Sequence, residues 1–306
     1  MSKHSKARTF LEYAAARAVL GGLGLLPRSL AVTAGRAMGR LAYAFGGRLR
    51  RTGERNLELA FPALGPRERA RILRGSFTSL GRLLGEFSQL SRITPEQLRD
   101  IVEVEGLEHY RAASAAGRGV IFFTGHLGAW ELSCFAMSAL GYPMSFLARR
   151  IDNERVDQMV EKIRTRFGNR LINKRAAARP ILQTLRAGGT VGLLVDLNTQ
   201  PHEGVFVDFF GRPASTTAGL ARLARHSGAP VLPGFIPWEA DRRRFVLHLH
   251  PPLAASWTDD ESDDIRRFTA RFTAVVEDYV RRYPDQWLWI HKRWHTRPPG
   301  EPDIYR

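Results

Sequence analysis

His126 and Glu131 stand five residues apart in the run Ile121-Phe-Phe-Thr-Gly-His126-Leu-Gly-Ala-Trp-Glu131, and their types and spacing suit proton transfer to and from a hydroxyl. A carboxylate on one ring nitrogen fixes the imidazole tautomer and stabilises its protonated form, leaving the other nitrogen to act as a base. General-base catalysis of this kind contributes about 10²- to 10⁴-fold. On one continuous helix, five positions would turn the two side chains about 140° apart. They meet only if His126 sits in the turn before a helix that carries Glu131 near its start. Gly125 and Gly128 flank the histidine and permit such a turn and the close approach of a ligand. Amides at the helix start would then face the oxyanion of a tetrahedral intermediate. The competing reading is a turn histidine that caps the helix, with Glu131 merely favourable against its dipole. Spacing alone carries little weight in a chain with nine His and thirty Asp or Glu.

The surrounding pattern supplies the required strand and helix. Val120 to Phe123 is a short apolar run that reads as a buried strand, and a helical pattern follows from about Ala129 to Leu140. Met144 to Ala148, Val191 to Val195, Val231 to Ile236 and Phe245 to Leu249 read as further strands, and Gly204 to Phe210 as an extended aromatic segment. Helical spacing marks Pro66 to Leu90, Ile181 to Arg186, the segment after Ser215 that closes at Gly228, and a long stretch from Ile265 to Tyr279 that ends before Pro284. Strands alternating with helices predict an α/β fold with a mixed, partly parallel central sheet flanked by helices. No linker divides residues 51 to 306, which read as one catalytic unit behind an N-terminal segment of residues 1 to 50. In such sheets, ligands bind beyond the carboxyl ends of the strands.

The formal net charge is +16 across 306 residues, which gathers anionic partners. Up to Arg55, eleven Lys or Arg stand against two Glu, interleaved with the apolar stretches Tyr13 to Leu26 and Leu30 to Gly47. Neither stretch supplies the ~20 clean apolar residues of a comfortable span, and Arg17 interrupts the first. One tilted span and two interfacial helices both fit. A secretory signal would use Lys3, Lys6 and Arg8 before the apolar run and Val32-Thr33-Ala34 as a cleavage site. The expectation is a retained membrane-associating segment, because the apolar pattern continues to Phe45. The single cysteine, Cys134, excludes an intrachain disulfide and a cysteine-based zinc site. It reads as a small buried apolar residue.

Five blocks in order resemble the late acyltransferases of lipid A biosynthesis, the lauroyl and myristoyl transferases that carry an H-x4-D/E motif. Arg55-Asn-Leu-Glu-Leu-Ala-Phe-Pro62 resembles their early signature, and His126 with Glu131 falls on their catalytic pair. Arg149, Asp152 and Asn153 match an R-x-x-D-N segment. Asp196, Gly204-Val-Phe-Val-Asp-Phe-Phe-Gly211 and Thr216-Thr217 match the central block. Pro284-Asp-Gln-Trp-Leu-Trp-Ile-His-Lys-Arg-Trp294, with Thr296-Arg297-Pro298, resembles the closing signature. The resemblance implies a glycerol-phosphate-acyltransferase-like fold and a direct O-acyl transfer at the cytoplasmic face of a bacterial inner membrane. The implied donor is an acyl thioester on acyl carrier protein or coenzyme A, and the implied acceptor is an anionic glycolipid hydroxyl on a lipid A precursor. No cofactor and no metal are implied. Relatives that acylate phosphatidylinositol mannosides share the core motif, which keeps that acceptor open.

Arg149, Asn153, Arg164, Asp196 and Thr217 are the candidate substrate-binding residues, the arginines as anion clamps and Asp196 also as a residue that orders the site from a strand end. His248 and His250, two apart on a strand, read as exposed edge residues. His291 and His295 have a metal-like spacing without a third ligand and fall in the closing block, which reads as structural. No G-x-S-x-G elbow, P-loop or dinucleotide glycine fingerprint appears. No nucleic-acid recognition motif accompanies the charge, so nucleic acid is not an expected partner. A non-catalytic basic protein on a membrane surface is the rival from another class.

Overall fold

A computed structural model gives the arrangement of residues 6–174 and 177–305. Lys3 of the basic leader lies outside the described residues. The strands of the main sheet are β1 (Val102–Glu105), β2 (Val120–Thr124), β3 (Met144–Ala148), β4 (Arg170–Asn173), β5 (Thr190–Leu194), β8 (Val231–Phe235), β9 (Trp238–Glu239) and β10 (Arg244–Leu249). Their order is β1-β10-β8-β2-β5-β3-β4, with β9 on β10. The run from β8 to β4 is parallel, β10 is antiparallel to β8, and β1 is parallel to β10. A separate hairpin joins β6 (Gly204–Phe209) to β7 (Arg212–Thr217). The sheet is therefore mixed and mostly parallel, within an α/β fold.

Along β2 all five side chains are buried, as expected for a strand covered on both faces. Ile121 and Phe123 enter one hydrophobic core with α9 (Ala178–Arg186), α10 (Gly219–Ser227) and α11 (Glu261–Arg282). Val120 and Phe122 enter a second core with α5 (Pro95–Ile101), α6 (Leu107–Ala115) and α7 (Trp130–Ala139). This alternation is the period of two that a strand imposes. The helix expected over the segment after Ser215 is α10, but its first residues belong to β7, whose Thr216 and Thr217 pair with Val205 and Gly204. His248 and His250 are not on an edge. β10 has β1 on one side and β8 on the other, His248 lies between Glu105 and Glu239, and His250 meets the Tyr279 hydroxyl.

At the N-terminal side, the apolar stretch forms two helices, α1 (Lys6–Leu25) and α2 (Arg28–Phe45), broken where Pro27 lacks an amide proton. The basic run Arg48 to Arg55 lies inside α3 (Gly47–Ala60), which leads to α4 (Pro66–Gln89). α2 and α4 touch backbone to backbone. A methyl group on Gly35 would stand 2.2 Å from the Gly81 carbonyl oxygen, and one on Gly39 2.1 Å from that of Phe77. Phe10, Leu11, Leu25, Leu30, Leu41 and Phe45 of this layer are exposed. Among the described residues, no helix is long and apolar enough to cross a membrane.

Candidate active site

β2 and β5 are parallel neighbours in a register that pairs Thr124 with Leu194. His126 and Asp196 each lie two residues beyond these partners, so the two strand ends deliver them to one place. Asp196 Oδ1 lies 2.7 Å from His126 Nδ1, and Oδ2 accepts from the His126 backbone N–H at 2.7 Å and from Trp287 Nε1–H at 2.7 Å. Burial alone would push the Asp196 carboxyl up. The charge of the imidazole and the three hydrogen bonds outweigh it and hold the carboxyl below its ordinary 3.8. An ionised carboxylate only accepts, so the ring proton sits on Nδ1 and Nε2 keeps its lone pair. Nε2 has no hydrogen-bond partner among the described residues, and the ring borders an open cleft of about 610 Å³.

The approach of Asp196 depends on Gly125. A Cβ there would stand 3.0 Å from Asp196 Oδ2, so the carboxylate would have to give by a few tenths of an ångström. Gly128 turns the chain from strand to helix at φ +63, and a Cβ there would meet the Ile236 carbonyl oxygen at 2.1 Å. Beyond it, Trp130 opens α7 and packs edge-on to His126 with ring centroids 5.1 Å apart.

Glu131 is placed differently from expectation. Its carboxylate has Arg164 as partner, with Nε donating to Oε2 at 2.9 Å and Nη2 donating to Oε1, and it is not bonded to His126. The reason is helical geometry: Glu131 is the second residue of α7, and its side chain turns across the cleft wall towards α8 (Glu154–Arg164). Burial would lower the Arg164 guanidinium, but the hydrogen bonds and charge of Glu131 raise it instead. His126, Glu131 and Arg164 all line the cleft. A smaller apolar side pocket of about 70 Å³ adjoins it, running between α7 and the sheet past Glu131, Phe122, Met144, Phe146 and Gly192.

The remaining candidates separate. Arg149 and Thr217 lie at the cleft, Arg149 exposed and paired with Asp152, Thr217 accepting from the Gly219 N–H at 3.2 Å. Asp196 is sealed from the cleft and cannot touch a substrate; it acts on His126. Asn153 lies away from the cleft lining. It caps α8 by accepting from Val156 N–H, and its amide donates to the Thr9 carbonyl at 2.7 Å, fastening α8 to α1. Cys134 is buried, its thiol pushed up to about 12 by burial, which leaves it inert as a nucleophile.

The closing block does more than fill the core. Besides the Trp287 indole on Asp196, Leu288 N–H donates to the His126 carbonyl at 3.1 Å, and Gly128 N–H donates to the Gln286 carbonyl at 3.0 Å. His291 Nε2 accepts from the Asn198 N–H at 3.1 Å. Burial lowers the His291 pKa to about 4, with nearby cations acting in the same direction and Asp196 against it, so the ring stays a neutral acceptor. Trp287, Gln286 and His291 were not legible as site residues, because their signal in the sequence is one of aromatic packing.

Comparisons with known proteins agree along the chain. The family model for Bacterial lipid A biosynthesis acyltransferase matches residues 1–296. The lipid A biosynthesis myristoyltransferase of Escherichia coli (strain K12) is 29% identical over 291 residues, covering 94% of this chain and 88% of that protein. The lipid A biosynthesis lauroyltransferase of the same strain is 31% identical over 284 residues, covering 92% and 90%. The phosphatidylinositol mannoside acyltransferase of Mycolicibacterium smegmatis (strain ATCC 700084 / mc(2)155) is more distant, at 25% over 226 residues, 73% of this chain and 72% of that protein.

Proposed function

The chain belongs to the bacterial lipid A biosynthesis acyltransferases, and from that membership we propose that it moves a fatty acyl group from an acyl carrier protein thioester to a hydroxyl of a lipid A precursor. His126 Nε2 takes the proton of the acceptor hydroxyl as its oxygen attacks the thioester carbonyl carbon. Asp196 holds the Nδ1 proton and stabilises the imidazolium that forms. The tetrahedral intermediate collapses with loss of the C–S bond, and the departing thiolate takes the proton from Nε2. Ester and free carrier thiol result, with no acyl-enzyme. Glu131 and Arg164 act from the cleft wall, where the guanidinium faces the developing oxyanion together with the N–H groups of Trp130 and Glu131. The acyl chain runs into the apolar side pocket past Gly192.

The observation that carries this reading is the imidazole nitrogen without a partner among the described residues at the edge of the cleft, with its other nitrogen on a buried carboxylate. The exposed apolar residues of α1 and α2, together with Arg17, Arg40, Arg48 and Arg51, support seating on the cytoplasmic face of an anionic inner membrane. Purified protein with labelled acyl carrier protein and lipid A precursor tests the reaction. His126→Ala should lower turnover by about 10⁴-fold while circular dichroism still shows a folded protein, its melting temperature lowered by the loss of a partner for the buried Asp196. Turnover within tenfold of the parent protein removes His126 as the base.

A further inference from the structure

We propose that Arg36 of α2 and Arg82 of α4, with Arg28 at their edge, form a receptor for the phosphate group of an anionic lipid. Arg36 and Arg82 directly follow Gly35 and Gly81, whose backbones meet across the α2–α4 seam, and Arg28 reaches Glu86 one turn further along α4. Arg28 is taken by Glu86, donating from Nε at 2.8 Å and from Nη2 at 2.6 Å. Among the described residues, no carboxylate lies within ion-pair distance of Arg36 or Arg82. Arg36 is half-buried, and its Nε–H is shielded from solvent with no hydrogen-bond acceptor. The Arg82 guanidinium carbon lies over Trp238, 3.7 Å from the ring centroid.

Charge is unbalanced there. The Arg82 guanidinium is lowered to about 10, first by burial and then by Arg36, with Glu86 opposing and Arg28 and Asp285 contributing less. Two desolvated like charges side by side, one with an unused donor, oppose the folded state unless an anion joins them. The planar fork of arginine matches phosphate oxygens, and a phosphomonoester carries more charge to share between two forks than a diester does.

A lipid-borne phosphate is favoured by what surrounds the arginines. Leu25, Leu30 and Met38 are exposed on the same helical layer, and Arg40 continues the four-residue row of Arg28 and Arg36 along α2. Trp238 connects this place to the catalytic turn: its N–H donates to the Gln286 side chain, and the Gln286 carbonyl accepts from Gly128 N–H. A headgroup seated here would hold the membrane-facing layer beside the loop that carries His126. The inference takes from the proposed function only that this layer meets lipid.

Full-length protein in neutral detergent, and on phosphatidylcholine vesicles doped with phosphatidic acid or with phosphatidylglycerol at matched surface charge, provides the test. Binding is read without turnover, so failure of the acyl-transfer reading leaves the measurement intact. Phosphatidic acid vesicles should bind about tenfold more tightly than phosphatidylglycerol vesicles. Arg36→Gln and Arg82→Gln should each remove most of that preference, about fivefold per arginine, while Arg51→Gln keeps it. Arg36→Gln loses no hydrogen-bond or ion-pair partner among the described residues and should melt no lower than the parent, which keeps the test open should Arg82→Gln fail to fold. A rise in melting temperature with inorganic phosphate that Arg36→Gln abolishes, without a vesicle preference, assigns the site to phosphate from solution. Preference and phosphate response both unchanged in Arg36→Gln would overturn the proposal.

Discussion

Asp196 lies sealed behind the His126 ring with three N–H donors on its two oxygens, whereas Glu131 stands in the cleft wall with a guanidinium for a partner. Both carboxylates belong to the same site, and burial separates their roles. A carboxylate that no solvent or substrate reaches can only orient and charge its neighbour. One that shares the cleft with Arg164 sets the position and charge of a guanidinium that a molecule in the cleft would meet. The two halves of the site therefore differ in what their loss should do. Substitution on the Asp196 side should act on the chemical step, and substitution on the Glu131 side should act on binding and on the oxyanion.

Between the two carboxylates, the larger effect is expected at Asp196. Asp196→Asn preserves shape but presents an amide N–H or oxygen to Nδ1, and the imidazolium loses its counter-charge. The rate constant for transfer should fall about 10²- to 10⁴-fold with KM little changed. Steady-state kinetics with both substrates varied will show it; a fall confined to KM would place Asp196 in binding after all. Glu131→Gln and Arg164→Gln come next, with losses of about 10- to 100-fold that are not additive. Their coupling should lie in the range of about 0.5–3 kcal/mol, whereas Glu131→Gln combined with Asp196→Asn should combine nearly additively. A double-mutant cycle that couples Glu131 to Asp196 more strongly than to Arg164 would merge the two halves.

Smaller effects belong to the edges of the comparison. At Gly192 an added Cβ meets Phe146 Cβ at 3.6 Å and Met144 Cε at 4.0 Å, ordinary contacts, so Gly192→Ala folds and takes space only from the side pocket. Each methylene displaced from an apolar pocket is worth about 0.8 kcal/mol, or about fourfold in preference. Competition between acyl donors of different length should shift towards the shorter chain by that factor. An unchanged preference would route the acyl chain elsewhere.

His291 supplies the pH dependence. Its folded pKa, about 4, lies below its ordinary 6.5, so below pH 6.5 the unfolded chain binds a proton that the folded one does not. Stability should therefore fall as pH drops from 6.5 towards 4, by roughly 2–3 kcal/mol. Asp196 acts lower: its contribution is full above its ordinary 3.8 and is lost only as pH falls through its depressed folded value. Chemical denaturation at pH 7 and pH 5 separates the two, because His291→Gln should flatten the loss in that window and leave the more acidic one.

Much of this was readable from residue patterns. The strand at Val120, the helix carrying Glu131 and the alternation that gives an α/β sheet follow from periodicities that burial imposes. His126 at a strand end follows from the same reading. Asp196 was readable as a residue that orders the site from a strand end but not as the partner of His126, because that depends on strand register: the pairing of Thr124 with Leu194 brings residues 126 and 196 together across seventy positions of sequence. Local spacing favoured Glu131, and helical phase turned it to Arg164. Asn153 looked like a ligand and became a helix cap, since Asn serves both purposes with the same amide. Trp287 was hidden because a buried indole reads as core until the acceptor of its N–H is known.

Isotope-labelled histidine NMR tests most directly which acid fixes the base. The Nδ1 proton of His126, held on a buried carboxylate, should give a strongly downfield resonance that survives Glu131→Gln and disappears or moves sharply in Asp196→Asn. A resonance lost in Glu131→Gln and retained in Asp196→Asn would contradict the assignment of Asp196 as the residue that orients His126.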